Sequence, residues 1–196
     1  SDYSLPDTGS LYICPQTLFK FHPSFDSVIA QILHRDISGY FVMIDDGKGG
    51  YWNKLLIERI GKKFPDIIDR IVFVHRMSKE RFMGFLQIAS VVLDIPSFSG
   101  GNSSLEAFAM GVPIVTYPGK FMRSQVTAGC YKQMGLDSLI ASSNEEYISI
   151  AIKLAKNKKY RKQMQKEIID NSYKLFERQE VINELEAFFI GVSQNK

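Results

Sequence analysis

Cysteine, long apolar segments and excess charge are all scarce in this chain. Only Cys14 and Cys130 occur among 196 residues, and their wide separation indicates neither a disulfide framework nor a zinc site. No apolar segment approaches the roughly 20 residues that cross a bilayer. The formal net charge of +3 is too small to indicate binding to nucleic acid or to an anionic membrane surface. The sequence therefore predicts a cytoplasmic protein with free thiols and with neither nucleic acid nor membrane as a partner.

The ends of the chain suggest a piece of a longer protein. The first ten residues, SDYSLPDTGS, are polar and do not resemble a secretory signal, and the chain starts abruptly without a methionine. Hydrophobic residues make up 45% and charged residues 23%, a balance typical of an ordinary globular protein. We therefore expect one well-packed domain that belongs to a larger chain.

Short apolar runs alternate with helical patterns over residues 11–141. The runs read LYICPQ, GYFVMID, RIVFVHR, VVLDIP and PIVTYP, with a shorter one, SLIA, at the end. Because they are almost continuously apolar, they predict strands buried on both faces, as in parallel sheets. Helical patterns between them predict right-handed crossovers. The fold class expected is α/β, a Rossmann-like doubly wound parallel sheet, with extra helices in residues 143–190.

The loop SFSGGNSS, residues 97–104, lies between the fourth predicted strand and a helix. Doubly wound sheets bind ligands at the carboxyl ends of their strands, and free amides at a helix N-terminus attract anions. Gly100 and Gly101 would let the backbone approach a phosphate, with Asn102 and Ser103 next to it. The pattern is neither a dinucleotide fingerprint nor a Walker loop. A plain turn and a phosphate cradle are therefore both open.

Two charged residues favour the phosphate interpretation. Glu106 is expected in the first turn of the helix, where its carboxylate is either a dipole partner or an acceptor for the two hydroxyls of a ribose. Lys20 follows the first strand and is either a surface lysine with a buried stem or a cation directed at phosphates. Lys79 is a weaker candidate of the same kind. Phe82, one turn later, would contact a base or join the core.

The remaining polar residues give weaker signals. His75 ends the third predicted strand and could act as a general base, but the sequence shows no acid or nucleophile to accompany it. Asp45 and Asp46 are adjacent carboxylates without a third ligand, which is more typical of a turn than of a metal site. Cys14 has no evident histidine partner. The sequence therefore predicts neither a metal site nor nucleophilic catalysis.

Four segments, taken in order, resemble the O-GlcNAc transferase family, glycosyltransferase family 41, which includes SPINDLY-like and tetratricopeptide-linked bacterial members. The segments are LPDTGSLYICPQTLFKFHPSF, RIVFVHRMSKERF, VVLDIPSFSGGNSSLEAFAMGVPIVTYPG and EEYISIAIKLAKN. The third is typical of nucleotide-sugar transferases with the GT-B fold, and the LFK segment narrows the resemblance to this family. The resemblance extends over about residues 5–189.

The resemblance implies the C-terminal, donor-binding half of a GT-B catalytic region. Family members are inverting, metal-independent enzymes that transfer a sugar from a UDP-sugar, here UDP-GlcNAc, to Ser or Thr of a protein acceptor. Residues 1–196 would then form a single nucleotide-binding domain, about residues 5–175. Helix 178–190 would pack toward a missing N-terminal half, to which tetratricopeptide repeats would be attached. The chain alone is expected to bind nucleotide without transferring sugar.

The resemblance also implies roles for individual residues. Thr17 and Lys20 would contact the diphosphate, and Lys20 would stabilise the charge on the departing UDP. Glu106 would hold the ribose. The residues that would border the uracil are Met77, Ser78, Lys79 and Phe82. The residues whose amides would bind phosphate are Gly101, Asn102 and Ser103.

The chain departs from the family pattern at Phe82, Phe85, Gly101 and Gln125, where other members carry histidine, tyrosine or arginine. These departures leave the donor open between UDP-GlcNAc, UDP-glucose and a GDP-sugar. Two other functions also stay open. One is a non-catalytic Rossmann-like module that binds a nucleotide or a partner protein, and the other is a small-molecule GT-B glycosyltransferase or a sugar epimerase.

Overall fold

The computed structural model describes residues 3–47 and 49–194 and contains a five-stranded parallel sheet. The strand order is β3-β2-β1-β4-β5. The strands are β1 (Leu11–Cys14), β2 (Tyr40–Ile44), β3 (Ile71–Val74), β4 (Val91–Leu93) and β5 (Ile114–Val115). The order reverses on either side of β1, as in dinucleotide-binding folds. The predicted Rossmann-like doubly wound sheet is confirmed.

Helices connect consecutive strands and continue beyond the sheet. They are α1 (Asp26–Arg35), α2 (Tyr51–Gly61), α3 (Lys79–Gln87), α4 (Asn102–Ala109), α5 (Val126–Met134), α6 (Asn144–Lys156), α7 (Lys158–Asn171) and α8 (Gln179–Gln194). Ser78 and Ser143 are the N-caps of α3 and α6, because their hydroxyls accept hydrogen bonds from the third amides of these helices. Gly111, just after the end of α4, has a φ of +68°, the left-handed conformation that glycine commonly adopts at helix ends.

The sheet is the centre of the core. Tyr12, Ile13 and Cys14 on β1 are fully buried, because β1 has neighbouring strands on both sides. Cys14 and Cys130 are free thiols, as predicted.

The predicted sixth strand at residues 138–141 is wrong in extent. Within residues 3–47 and 49–194, a single bridge between Thr116 and Ile140 extends the sheet beyond β5. Pro118 follows Thr116 closely and cannot donate to a ladder, and the amide of Ile140 bonds back to Asp137 in a turn. These features stop the pairing after a single residue on each side.

Asp36, which follows α1, is a buried carboxylate with several donors. It accepts hydrogen bonds from the Tyr12 hydroxyl at 2.9 Å and from the Ser38 amide at 3.1 Å, and it pairs with Lys156. Burial opposes ionisation, but hydrogen bonds from Lys156, Ser10, Ser38 and Tyr12 prevail and lower the pKa of Asp36 to about 2. The ionised form is therefore favoured in the folded state.

This lowered pKa predicts a loss of stability in acid. The folded-state pKa of Asp36 lies below its ordinary value of 3.8, so its contribution is present above pH 4 and is lost as the pH falls toward 2. We expect the free energy of unfolding to fall by about 2 kcal/mol over that interval on account of this group. Urea unfolding at several pH values measures it. An Asp36→Asn variant with the same slope between pH 4 and 2 would contradict the assignment.

The C-terminal helix α8 exposes a row of apolar side chains. Its exposed large apolar residues are Val181, Ile182, Leu185, Phe188, Phe189, Ile190 and Val192. Among residues 3–47 and 49–194, no helix combines the length and the apolar character that crossing a membrane requires.

Candidate functional site

A cleft of about 540 Å³ opens at the carboxyl ends of β1, β2 and β3. Its size is usual for a small-molecule site, and this edge is where doubly wound sheets bind ligands. The lining residues are Pro15, Gln16, Thr17, Leu18, Phe19, Ile44, Asp45, Asp46, Trp52, Arg76, Met77, Lys79, Phe82 and Glu106. The cleft is therefore built from the three loops that follow these strands, with contributions from α2, α3 and α4.

Five of the residues predicted from the sequence meet in this cleft. They are Thr17, Met77, Lys79, Phe82 and Glu106. They come from the loops after β1 and β3, from α3 and from α4, so only the fold brings them together. Phe82 is half-buried, which leaves part of its ring accessible from the cleft.

Lys20 lies beside this cleft, against the loop that contains Gly100. Its ammonium nitrogen is 4.1 Å from the centre of the Phe98 ring, and its carbonyl oxygen accepts a hydrogen bond from the Ser97 hydroxyl at 3.4 Å. Partial burial lowers the pKa of Lys20, and the negative charge of Asp94 opposes this effect. The lysine therefore presents a partly desolvated cation between the loop after β1 and the loop after β4.

The amide of Gly100 is already engaged. It donates to Asp94 Oδ1 at 2.7 Å, so it is not a free donor for a phosphate. Gly101 is the exposed N-cap of α4. The amides of Asn102 and Ser103 are the first of the helix and have no intrahelical acceptor. The anion-binding donors that remain in this loop are therefore those of residues 101–103.

Asp94 organises the loops around it and was missed by the sequence analysis. Its buried carboxylate accepts from Gly100 N and Gln16 Nε2 at Oδ1, and from the Ser99 and Thr116 hydroxyls at Oδ2, over 2.7–2.9 Å. Burial raises the pKa of Asp94, and the bonds from Gly100, Thr116 and Ser99 oppose the rise. The carboxylate therefore fastens the loops after β1 and β4 to the end of β5.

A second set of hydrogen bonds joins this network to α5. The Thr127 hydroxyl lies 2.7 Å from the Ser99 hydroxyl and 2.8 Å from the Ser104 hydroxyl, and the Thr127 amide donates to Ser99 Oγ at 3.0 Å. All three side chains are buried. The loop that contains Gly100 is therefore anchored to α5.

Glu106 occupies a different turn from the one predicted. Since α4 begins at Asn102, Glu106 lies in the second turn and not the first. The helix dipole acts mainly on the first turn, so the interpretation of Glu106 as a dipole partner loses support. The side chain is half-buried and lines the cleft. Its position suits a role toward a ligand.

The structure defines the hydrogen-bond partners of His75 and Asp46, two polar residues near the cleft. His75 has an acid beside it after all, because its Nδ1 lies 2.7 Å from Asp45 Oδ2. The two residues are 30 positions apart, and only the pairing of β2 with β3 brings them together. Asp46 accepts hydrogen bonds from the amides of Gly50 and Trp52 at the start of α2. It therefore acts in the turn, as the sequence suggested.

The departures from the family pattern lie in different environments. Phe85 is fully buried and packs near Tyr3, with ring centres 5.5 Å apart, so it belongs to the core. Gln125 Nε2 donates to the carbonyl of Gly119 at 2.9 Å. Of the four departures, Phe82 is the one that lines the cleft.

The cleft has an aromatic rim that the sequence did not predict. Phe19 and Trp52 line it with ring centres 6.4 Å apart, and both remain exposed. Their exposure next to the cleft is visible only in the folded chain.

Gly100 and Gly101 provide a matched pair of variants. A Cβ on Gly100 would lie 2.2 Å from Ser104 Oγ, whereas a Cβ on Gly101 meets nothing within 4 Å. We expect Gly100→Ala to lower the free energy of unfolding by about 1–3 kcal/mol, because a buried hydroxyl must move, and Gly101→Ala to cost clearly less. Chemical denaturation measures both. Equal losses in the two variants would show that the contact with Ser104 is unimportant.

Comparison with known proteins gives consistent results. The sequence matches glycosyl transferase family 41 over residues 1–185. It is 28% identical over 156 residues to a UDP-N-acetylglucosamine--peptide N-acetylglucosaminyltransferase of Caenorhabditis elegans, covering 79% of this chain and 13% of that protein. It is 27% identical over 177 residues to the enzyme of that name from Giardia intestinalis, covering 89% of this chain and 12% of that protein. The chain thus spans only a small part of these relatives.

The structural comparison agrees on the fold. An O-GlcNAc transferase mutant of Thermobaculum terrenum superposes with a TM-score of 0.82 and 22% identity, covering 95% of this chain and 36% of that one. A sucrose-phosphate synthase of Thermosynechococcus elongatus superposes with a TM-score of 0.68 and 12% identity, covering 98% and 47%. The fold is therefore one Rossmann-like half of the GT-B type. From the match over residues 1–185, this chain belongs to glycosyl transferase family 41.

Proposed function

We propose that this chain is the UDP-sugar-binding half of a protein O-glycosyltransferase that transfers GlcNAc from UDP-GlcNAc to Ser or Thr. The observation that carries the proposal is the convergence of Thr17, Met77, Lys79, Phe82 and Glu106 in one cleft at the carboxyl ends of the strands. The names of the relatives from Caenorhabditis elegans and Giardia intestinalis support the same donor and a peptide acceptor.

Each part of the donor has a matching region in the site. The uracil would lie at the end of β3, next to Met77 and the accessible face of Phe82. The carboxylate of Glu106 would accept from the ribose hydroxyls. Lys20 and the free amides at the start of α4 would face the diphosphate. The contacts proposed for the uracil follow β3, and those for the ribose and the diphosphate follow β1 and β4.

The chemistry expected of this half is stabilisation of the leaving group. When the acceptor hydroxyl attacks the anomeric carbon, negative charge develops on the β-phosphate of the departing UDP. A cation and fixed backbone donors stabilise that charge without reorganising. Lys20 and the amides of Asn102 and Ser103 can supply this stabilisation, so we propose that the reaction proceeds without a metal ion. The acceptor site and the proton acceptor would belong to the N-terminal half.

We further propose that α8 docks on that N-terminal half. The exposed apolar row on α8, which includes Leu185, Phe188 and Phe189, supports this proposal. So does the length of the curated relatives, of which this chain matches 12–13%. We also propose a cytoplasmic location and attached tetratricopeptide repeats, as in the bacterial members that the sequence resembles.

A panel of nucleotides tests the proposed donor. Thermal unfolding of the purified chain is followed with UDP, UDP-GlcNAc, UDP-glucose, GDP and ADP, each with EDTA and with Mg²⁺. A ligand at about 100 times its dissociation constant stabilises the folded state by about 2.7 kcal/mol. We expect a higher unfolding temperature with the uridine nucleotides, independent of EDTA. Stabilisation by GDP in place of UDP, or a strict requirement for Mg²⁺, would contradict the proposal.

Transfer itself is tested on the full-length protein, since the chain alone holds one half of the proposed catalytic region. Labelled UDP-GlcNAc is incubated with the full-length protein and a Ser/Thr peptide library. We expect label on peptide hydroxyls. Label on small molecules alone, or epimerisation of the donor, would favour a small-molecule transferase or an epimerase instead.

A further inference from the structure

Gln16 carries a buried polar atom that the described residues leave without a hydrogen-bond partner. The residue follows β1, is 5% exposed and is one of the residues that line the cleft. Its Nε2 donates to Asp94 Oδ1 at 2.9 Å, but its Oε1 has no partner within residues 3–47 and 49–194. Buried polar atoms are nearly always paired, so an unpaired one beside a cleft indicates a partner that arrives with a ligand.

The orientation of the Gln16 amide follows from its partner. A carboxylate accepts hydrogen bonds, and Asp94 Oδ1 also receives the amide of Gly100 at 2.7 Å. The NH₂ group of Gln16 must therefore face Asp94, and the oxygen must face away from it. Reversing the amide would set two acceptors against each other. With the NH₂ group held by Asp94, the oxygen is the end of the amide that is left for a partner outside this network.

An amide oxygen limits what can bind next to it. It accepts hydrogen bonds and repels phosphate oxygens, so its partner is a neutral hydroxyl or N–H group. Neighbouring strands lie about 4.8 Å apart, and β2 separates β1 from β3. A base held at Met77 and Phe82, after β3, would therefore lie about 10 Å from the end of β1. The partner nearest to Gln16 is then a sugar hydroxyl.

We propose that Gln16 Oε1 accepts a hydrogen bond from a sugar hydroxyl of the bound nucleotide-sugar and thereby helps to select the ligand. The hydroxyl belongs either to the ribose or to the transferred sugar. Asp94 acts as the positioning residue, because it holds the NH₂ group of the amide and so turns the oxygen away from itself. The inference rests on the proposed binding of a UDP-sugar in this cleft.

Thr116 provides the matched control. Its buried hydroxyl donates to Asp94 Oδ2 at 2.7 Å, so Thr116→Val, like Gln16→Met, removes one neutral donor to the same carboxylate. Thr116 does not line the cleft. Any effect transmitted through Asp94 alone should appear in both variants. Gln16→Asn serves as a second variant, because it keeps a buried amide but is one methylene too short to reach both Asp94 and the ligand.

The experiment is a titration of these variants and the unaltered chain with UDP-GlcNAc, UDP-glucose, UDP, 2′-deoxy-UDP and 3′-deoxy-UDP. We expect Gln16→Met and Gln16→Asn to bind UDP-GlcNAc about tenfold more weakly, and Thr116→Val to stay within about threefold. A loss that also appears with UDP but vanishes with one deoxy-UDP identifies a ribose hydroxyl. A loss absent with UDP but present with UDP-GlcNAc identifies the transferred sugar, and the same loss with UDP-glucose, which lacks the acetamido N–H, identifies one of its hydroxyls.

Other results would overturn the inference. Equal losses in the Gln16 and Thr116 variants would show that Gln16 acts only through Asp94. A loss of affinity that persists unchanged with both deoxy-UDPs would exclude a ribose hydroxyl as the partner. If that loss is also no larger with UDP-GlcNAc than with UDP, the transferred sugar is excluded as well. Unaltered binding by the Gln16 variants overturns this inference alone. Absence of UDP binding by the unaltered chain overturns the proposed function, and this inference with it.

Discussion

A Lys20→Ala variant is expected to bind UDP at least tenfold more weakly than the unaltered chain, with little change in its unfolding temperature. The ammonium lies over the Phe98 ring between the loops after β1 and β4 and faces the proposed diphosphate position. Hydrogen bonds to charged groups contribute about 1.5–3 kcal/mol, which corresponds to a tenfold or greater change in affinity. Calorimetric titration with UDP measures the loss.

Lys79→Ala is the matched control for Lys20. Lys79 also lines the cleft, but it is exposed at the start of α3, beside the proposed uracil position and not at the proposed diphosphate position. Removing its side chain takes away the same charge from the same edge of the sheet. We expect at most a threefold loss in UDP affinity, by the conversion of about 1.4 kcal/mol per tenfold. Equal losses in the two variants would reduce the role of Lys20 to general attraction of anions.

Asp94→Asn is expected to lower the free energy of unfolding by about 3 kcal/mol and to weaken UDP binding as well. The carboxylate accepts from four protein donors, two on each oxygen. An asparagine can accept on one oxygen only, so its NH₂ group would face two donors wherever it is placed. The loops after β1 and β4 would both lose their common anchor. Urea unfolding measures the stability, and titration measures the affinity.

Asp137→Asn is the control for this change, because Asp137 is exposed in the turn before residue 140. Surface substitutions of this kind usually change stability by no more than about 0.5 kcal/mol. If Asp94→Asn proved as stable as Asp137→Asn, the network around Asp94 would not be what orders the two loops.

The Rossmann-like sheet could be predicted from the sequence because strands that are buried on both faces are almost continuously apolar. Each of the five strands falls within an apolar run, and the hydroxyl caps at Ser78 and Ser143 mark helix starts correctly. The residues at which the strands end could not be predicted from the sequence. Apolar runs continue past the point where hydrogen bonding stops, as at residues 138–141, where a turn and Pro118 limit pairing to one bridge.

The site could be predicted only where one residue type suits one role. Lys20 and Glu106 could be identified because each is a charged residue among apolar neighbours in the sequence. Asp94 had the same signal, a carboxylate in the run VVLDIP, but its partners come from loops that are distant in sequence. The pairing of His75 with Asp45 likewise depends on two strands lying side by side. Contacts of this kind are set by the packing and leave no local pattern.

The most direct test of the account is a calorimetric titration of UDP and GDP into the unaltered chain and into Glu106→Ala. Glu106 is the single residue of α4 that lines the cleft, and it is proposed to hold the ribose. We predict that the unaltered chain binds one UDP and no GDP, and that Glu106→Ala binds UDP about tenfold more weakly. A folded chain that binds neither nucleotide, or UDP binding that is unchanged in Glu106→Ala, would contradict the claim that this cleft is the donor site.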